Sequence, residues 1–347
     1  MRNLAVVMAL AAGLGTLTGA EAQTYPSRPI TLMVRPFAGE SADVLARTLA
    51  DPMSKSLGQP VVVKRVGELD SSYHLVPHAA PDGYTLEIGN LDSHRYTMYG
   101  RSYDFLRDLM PVALLPSVPA WLVARRELPA TDLRGLLAWL GTNSDKAPSG
   151  RLGFGAPGKA SAGIVGAGTT GHICGIYLQD AIGTHIQFVP YSGEEAMLRG
   201  LERGQIDFVC GQATNSLAMV RSGQIKVYAV MAKARWFAMP DIPTADEMGL
   251  PGIYSSYWYG FWAPAGTPYD IITKLNAAAI DAMTDPAVRR RIADQGMEIP
   301  AREQQSPAAL DTFQRAETGK WCEAMVGRGR SYRAVVPLCG GRRAAAN

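Results

Sequence analysis

Short apolar runs alternate with amphipathic segments through the first part of the chain. Residues 29–34 have the apolar, β-branched character of a strand, and leucine and methionine then recur at the spacing of one helix face between 41 and 57. A second strand is predicted at 60–63, a second helix at about 69–79 and a third strand at 84–88. This alternation predicts a parallel sheet whose strands are joined by helical crossovers.

The same alternation restarts in the middle of the chain. Strands are predicted at about 162–165, 186–190, 206–210 and 226–231, and helices at about 173–180, 194–202 and 215–221. Two further apolar segments, 111–125 and 257–263, are predicted to carry the chain between the two units. Helices are also predicted at 132–140, 269–283, 287–294 and 307–325.

Two α/β units in one chain predict a two-domain clamshell, in which each domain is a mostly parallel sheet flanked by helices. The first domain is discontinuous, 24–121 plus 236–326, and the second, 122–235, is inserted in it. Ligands of open α/β sheets bind beyond the carboxyl ends of the strands, so the cleft between the domains is the expected site. The atypical tail 327–347, rich in Gly, Arg and Ala without periodicity, is assigned no fold.

The composition is that of a folded protein, with 47% hydrophobic and 19% charged residues. The net charge of +3, without a basic stretch interleaved with aromatics, argues against a nucleic-acid partner. Residues 1–22 have the form of a signal peptide, with a basic residue at position 2, an apolar run over 4–14 and an Ala-Glu-Ala cleavage sequence at 20–22. These features predict export to the periplasm, and no later apolar run is long enough to span a membrane.

The glycine-rich turn 166–172 (Gly-Ala-Gly-Thr-Thr-Gly-His) is the strongest candidate for binding chemistry. It follows a predicted strand and opens a predicted helix. Such a turn directs backbone N–H groups and the positive end of the helix dipole at one point, which suits an anion. His172 has two possible roles, donating a hydrogen bond to that anion or closing the turn, and the sequence does not decide between them.

A dinucleotide site is the main alternative. The motif Gly-x-Gly-x-x-Gly occurs at 153–158 and again at Gly166–Gly171, and Glu194 follows at about the distance of the acidic residue that binds a ribose hydroxyl. An exported oxidoreductase without a twin-Arg signal would have to acquire its cofactor after export, and Glu194 lies beyond the end of the predicted strand. We therefore expect a binding protein with no cofactor and no catalytic residues.

The other residues with reactive chemistry form no recognisable motif. The histidines outside the turn have no metalloprotease spacing, the four cysteines match no CxxC or zinc pattern, and no G-x-S-x-G elbow occurs. Export permits disulfides, and Cys174 with Cys210 is the pair best suited to sharing a domain. Four independent thiols are the alternative, because a free cysteine behaves as a small apolar residue.

Several short motifs, taken in order, resemble one family. They are Tyr-Pro-Ser-Arg-Pro-Ile at 25–30, Pro-Phe-Ala-Gly at 36–39, Leu-Gly-Gln-Pro-Val at 57–61, Ala-Pro-Asp-Gly-Tyr-Thr-Leu at 80–86, Phe-Val-Pro-Tyr-Ser-Gly at 188–193, Gly-Gln-Ile-Asp at 204–207, Pro-Asp-Ile-Pro-Thr at 240–244 and Tyr-Gly-Phe-Trp-Ala-Pro-Ala-Gly-Thr-Pro at 259–268. Over about residues 24–326 the chain resembles the substrate-binding proteins of tripartite tricarboxylate transporters, also called the Bug family.

The resemblance implies a two-domain clamshell of the periplasmic-binding-protein type that binds a small organic anion, often a carboxylate, and delivers it to the membrane permease subunits of a tripartite transporter. It also implies a monomer without a metal, whose ligand contacts come from a first-domain loop, the second-domain glycine turn and the loops after other strands. The candidate ligand-binding residues are Phe37, Ala38, Gly39, Glu40, Ser41, Ala42, Asp43, Ser93, His94, Gly168, Thr169, Thr170, Gly171, His172, Tyr191, Gly193 and Gln212.

Departures from the family pattern bear on the ligand. Glu40 and Ser41 stand where the family has a Gly-Gly pair, and a carboxylate about 4 Å from an anionic ligand costs on the order of 1 kcal/mol in water. Either Glu40 points outward or the ligand carries an amine or another donor. The family's glycine-rich turn after the second predicted strand is replaced at 65–71, and 151–161 is interpreted as an insertion. The identity of the ligand stays open, as does contact with a membrane sensor instead of a permease.

Overall fold

The structure is a computed structural model that describes residues 24–34, 39–65, 75–92, 94, 103–146, 160–326 and 339. The predicted signal peptide lies outside the described residues, as does almost all of the insertion and of the tail. Most of the helix predicted at 69–79 also lies outside them, and its described residues 75–78 form a turn.

The elements follow the predicted alternation closely. The strands are β1 (Ile30–Val34), β2 (Val61–Arg65), β3 (Thr85–Gly89), β4 (Leu109–Arg125), β5 (Asp145–Lys146), β6 (Ser161–Ile164), β7 (Thr184–His185), β8 (Gln187–Pro190), β9 (Phe208–Gln212), β10 (Ile225–Val230) and β11 (Ser256–Pro264). The helices are α1 (Gly39–Leu57), α2 (Phe105–Asp108), α3 (Leu133–Asn143), α4 (Thr170–Ile182), α5 (Glu194–Glu202), α6 (Ala213–Arg221), α7 (Tyr269–Thr284), α8 (Pro286–Asp294) and α9 (Pro307–Val326).

The main sheet has the strand order β2-β1-β3-β11-β4-β9-β6-β8, and β10 also pairs with β4. The strands joined by helical crossovers are parallel, as predicted: β1 pairs with β2 and β3, and β6 with β8 and β9. The strands β4 and β11 run antiparallel to their neighbours because they carry the chain between the two units. The fold is therefore a mixed α/β fold with a parallel set of strands in each unit.

Strand β4 belongs to both units. Its first part, as far as Pro119, pairs with β11, whereas the part from Ala120 onward pairs with β9 and β10. The β4–β11 register shifts between the pairs that contain Leu114 and Ser117. Pro116 lies in that interval and has no N–H to donate to a ladder. The apolar segment 111–125 thus belongs to one long strand that contains three prolines and changes partners along its length.

Apolar side chains cover both faces of the sheet, and each layer continues from one unit into the other. On one face, α1 and α7 contribute Leu45 and Leu275, and the same layer extends to Val209 of β9. On the other face, α4 and α9 contribute Ile176 and Trp321. Both layers are fully buried, and burial of this kind supplies most of the stability of a domain.

Two disulfides join distant parts of the chain. Cys174 of α4 is bonded to Cys210 of β9, with Cα atoms 6.1 Å apart, and Cys322 of α9 is bonded to Cys339, with Cα atoms 5.5 Å apart. The structure therefore has disulfides where four independent thiols were the other possibility, and one of them is the pair that the sequence named as best suited to sharing a domain. Among the helices of the described ranges, none combines the length and the apolar character needed to cross a membrane.

Candidate functional site

The glycine-rich turn connects β6 to α4, as the sequence predicts. Gly168 has a φ of +75°, in the left-handed region that suits glycine. Thr169 precedes the helix with extended backbone angles, and its hydroxyl donates to the Gly166 carbonyl at 2.9 Å. The first N–H groups of α4 have no acceptor within the helix and point out of its amino-terminal end.

His172 closes the turn from inside. The Gly168 N–H donates to His172 Nδ1 at 2.9 Å, so this nitrogen is an acceptor and the neutral ring carries its proton on Nε2. The ring is fully buried and meets Phe188 edge to face, with centroids 4.6 Å apart. Trp321 Nε1 donates to the Gly168 carbonyl at 2.7 Å. Through Nδ1, His172 therefore closes the turn, which is one of the two roles that the sequence left open.

Asp92 brings a carboxylate from the first unit to the amino-terminal end of α4. Its Oδ1 accepts the Thr170 N–H at 2.7 Å and the Thr170 hydroxyl at 2.8 Å. Asp92 lies just beyond β3 and is only 6% exposed. The position to which the helix dipole attracts an anion therefore already holds a negative charge of the protein itself.

Glu194, the first residue of α5, adds a second carboxyl group. The residue keeps some solvent contact, but burial, reinforced by the charge of Asp92, raises its pKa from 4.5 to about 7. Burial also raises the pKa of Tyr257 and Tyr259, and the charges of Glu194 and Asp92 act in the same direction. These mutual effects indicate that the four side chains surround one acidic, poorly hydrated region.

We expect the free energy of unfolding to fall by about 1–2 kcal/mol as the pH rises from about 4.5 to 7, because of Glu194. A carboxyl whose folded-state pKa is raised contributes stability that is complete below its unfolded pKa and is lost as the pH passes its folded pKa. Urea denaturation between pH 4 and 8 measures this slope. In Glu194→Gln the slope should become shallower. In the control Glu195→Gln, at the exposed next position, it should not change, and equal slopes in both variants would contradict the assignment.

Gln212 connects the two units. Its Nε2 donates to Ser41 Oγ at 3.0 Å and to Thr214 Oγ1 at 2.9 Å, while the Tyr259 hydroxyl lies 3.4 Å from its Oε1. Ser41 is on α1 of the first unit, whereas Gln212 ends β9 of the second. The structure thus joins Ser41 and Gln212. Tyr259, whose hydroxyl lies beside Gln212, also feels the charges of Glu194 and Asp92, which raise its pKa.

The remaining residues of the predicted first loop face other partners. Asp43 is bound by Arg47 at 2.9 Å and by Arg65 at 3.5 Å, and these guanidinium groups lower its pKa. Ala42 is fully buried in the core, and Gly39 begins α1. Phe37, Ala38, Ser93 and the side chain of Glu40 lie outside the described residues.

Two further predicted residues stand apart from this group. His94 is fully buried, with Nδ1 2.8 Å from the Tyr103 hydroxyl and Nε2 3.3 Å from Glu87, and its ring stacks on Phe105. Its side chain therefore supports the loop after β3 from within. Tyr191 lies over α5, since a Cβ added to Gly200 would collide with its hydroxyl oxygen.

Gly193 has an extended backbone directly before α5 and positions Glu194. The ligand-binding residues predicted for an organic anion include neither Asp92 nor Glu194, which was considered only for the dinucleotide alternative, although each follows a strand of a parallel set. That position, at the carboxyl end of such a strand, was the available signal. Within the part of the chain that the structure describes, no three His, Cys, Asp or Glu residues are grouped to hold a metal ion.

Comparisons with known proteins show which family and which fold this chain resembles. The model of the family described as "Tripartite tricarboxylate transporter family receptor" matches residues 45–325. A UPF0065 protein of Agrobacterium vitis, from an intergenic region between ttuE and ttuC', is 35% identical over 90% of this chain and 88% of its own.

Two solved structures are similar over most of their length. MatC of Rhodopseudomonas palustris with bound malate is 33% identical, has a TM-score of 0.71, and is aligned over 86% of this chain and 99% of its own. The periplasmic binding protein BugD is 31% identical, has a TM-score of 0.72, and is aligned over 88% of this chain and 99% of its own. These matches confirm the family resemblance and the periplasmic-binding-protein fold predicted from the sequence.

Proposed function

The chain belongs to the tripartite tricarboxylate transporter receptor family, and on that premise we propose that it captures a small organic anion, in particular a carboxylate, in the cleft between its two units. The observation that carries the proposal is the amino-terminal end of α4, where a carboxylate is bound by Thr170. A ligand carboxylate has the same charge and the same acceptor geometry. The MatC structure, which holds malate, supports this class of ligand.

We propose that the two units are the domains 24–121 plus 236–326 and 122–235, and that they close on the ligand. Strand β4 changes partners at Ala120, and the adjacent Trp121 packs edge to face on Trp236 with centroids 5.5 Å apart. These two crossings are the hinge of the proposed motion. In the closed form, the hydrogen bond from Gln212 to Ser41 joins the two units across the cleft.

The place and partners of the protein follow from the same proposal. A receptor of this family acts in the periplasm, as a monomer, and delivers its ligand to the membrane permease subunits of a tripartite transporter. It catalyses no reaction of its own. The family match favours this function over the dinucleotide oxidoreductase considered from the Gly166–Gly171 motif.

A thermal-shift panel tests the proposal. It contains mono-, di- and tricarboxylates, aromatic acids, amino acids and NAD(H). At 100 times its Kd, a ligand that binds only the folded protein stabilises it by about 2.7 kcal/mol, and we expect a rise in Tm of about 5 °C or more for at least one carboxylate. NAD(H) is expected to cause no shift.

A pair of tryptophan variants on α1 shows whether the shift comes from the cleft. Ser41→Trp places a large ring at the contact with Gln212 and should abolish the shift. Ser56→Trp, at the exposed far end of the same helix, should retain it. Stabilisation by NAD(H) alone, or a carboxylate shift that survives Ser41→Trp unchanged, would contradict the proposed function.

A further inference from the structure

We propose that Asp92 determines the specificity of the cleft: its carboxylate occupies the anion position of α4, and the acidic group of a ligand has to displace it. This inference rests on the proposed function of the site. It concerns a residue of this chain that competes with the ligand instead of binding it.

The geometry of Asp92 is that of a bound anion. One oxygen, Oδ1, accepts both donors of Thr170, the backbone N–H at 2.7 Å and the hydroxyl at 2.8 Å. Charge-assisted hydrogen bonds of this length are among the stronger ones in proteins. The two residues are 78 positions apart and belong to different units, so the contact also holds the units together.

A second carboxylate does not fit beside the first. Two negative groups in a poorly hydrated region repel each other strongly, and Glu194 adds a further acidic group to the same region. A ligand carboxylate at Thr170 therefore requires that Asp92 leave. The apparent affinity of the ligand is its intrinsic affinity multiplied by the fraction of molecules in which Asp92 has already left Thr170.

The consequence is that the cleft should bind carboxylic acids without a hydroxyl or an amine more weakly. Once displaced, the Asp92 carboxylate needs a new donor inside the cleft. A ligand with a hydroxyl or an amine next to its acid supplies one, whereas an unsubstituted acid such as succinate does not. We therefore expect the natural protein to bind malate more tightly than succinate, with Asp92 as the cause.

Titration calorimetry with succinate and malate tests the inference on the natural protein, Asp92→Ala and Asp92→Asn. In Asp92→Ala we expect succinate to bind about tenfold more tightly and the preference for malate to shrink. Asp92→Asn keeps the shape and removes the charge, so it should change both quantities in the same direction by a smaller factor. It also provides the measurement if Asp92→Ala does not fold.

Asp132→Ala is a matched control. Asp132 caps α3 by accepting the Gly135 N–H at 2.7 Å, and it shows what the loss of a capping carboxylate does away from the cleft. The control should lose stability and keep both affinities. A succinate affinity that stays equal or falls in both Asp92 variants, while the natural protein binds a carboxylate, overturns the role of Asp92 alone. If the natural protein and both variants bind no carboxylate, the proposed function fails as well.

Discussion

Removal of the Cys174–Cys210 disulfide is expected to lower the free energy of unfolding by about 4 kcal/mol. The bond joins residues 36 positions apart, and in the chain-entropy model a loop of this size restricts the unfolded chain by that amount. Both sulfur-bearing residues are buried. The bond also ties the first turns of α4 to β9 near Gln212, and so its loss should weaken ligand binding in addition to stability.

The measurement needs a protein in which only this bond responds to reductant. Cys322→Ala/Cys339→Ala leaves Cys174–Cys210 as the one disulfide that the structure assigns in the described ranges. Guanidinium denaturation of this variant with and without dithiothreitol reports the contribution of the bond. The variant that lacks all four cysteines should not respond to dithiothreitol. A midpoint that is independent of reductant in both proteins would show that the bond does not form or does not stabilise the fold.

Most of the fold was predictable because it is encoded locally. Helix α5 has the predicted bounds, since Gly193 precedes an amphipathic run that begins and ends with glutamates. The parallel sets of strands follow from the strand–helix–strand spacing. Strand β4 is the exception. Different strands pair with its two parts, which no local pattern shows, and its three prolines, Pro111, Pro116 and Pro119, lie where the β11 ladder ends or shifts.

The candidate site was predictable as a place and not as a set of contacts. The turn 166–172 lies where the sequence indicated, but its N–H groups already bind His172 and Asp92. The hydrogen bond from Gln212 to Ser41 joins residues 171 positions apart, and no local pattern specifies such a pair. Burial of His94 against Phe105 likewise depends on packing between distant segments.

Acidic residues that follow the ends of strands are the sequence feature that indicates the acidic region. Asp92 follows β3, and Glu194 follows β8 after a short turn. In an open α/β sheet these positions converge on the cleft, so an acidic residue there meets the ligand or replaces it. Glu40 was considered because it stands where the family has a glycine, whereas the structure describes the acidic region through Asp92 and Glu194.

Gly171→Ala is expected to lower the free energy of unfolding by about 3 kcal/mol and to abolish carboxylate binding. A Cβ at this position would lie 2.5 Å from the carbonyl oxygen of Cys210, which is part of the backbone of β9. A strand inside the sheet cannot yield, so α4 would have to move away while the disulfide from Cys174 holds it in place. The turn that presents Thr170 to an anion moves with the helix.

Gly141→Ala separates this effect from helix propensity. Gly141 is also in a helix, α3, but nothing lies within 4 Å of its added Cβ, so the substitution should stabilise the protein by about 0.5–1 kcal/mol. The two variants are therefore expected to change the free energy of unfolding in opposite directions. Denaturant unfolding gives the sign, and calorimetry with the best ligand of the panel gives the affinity. If Gly171→Ala is as stable as the natural protein and binds the ligand equally well, the close approach of α4 to β9 is not what positions the site.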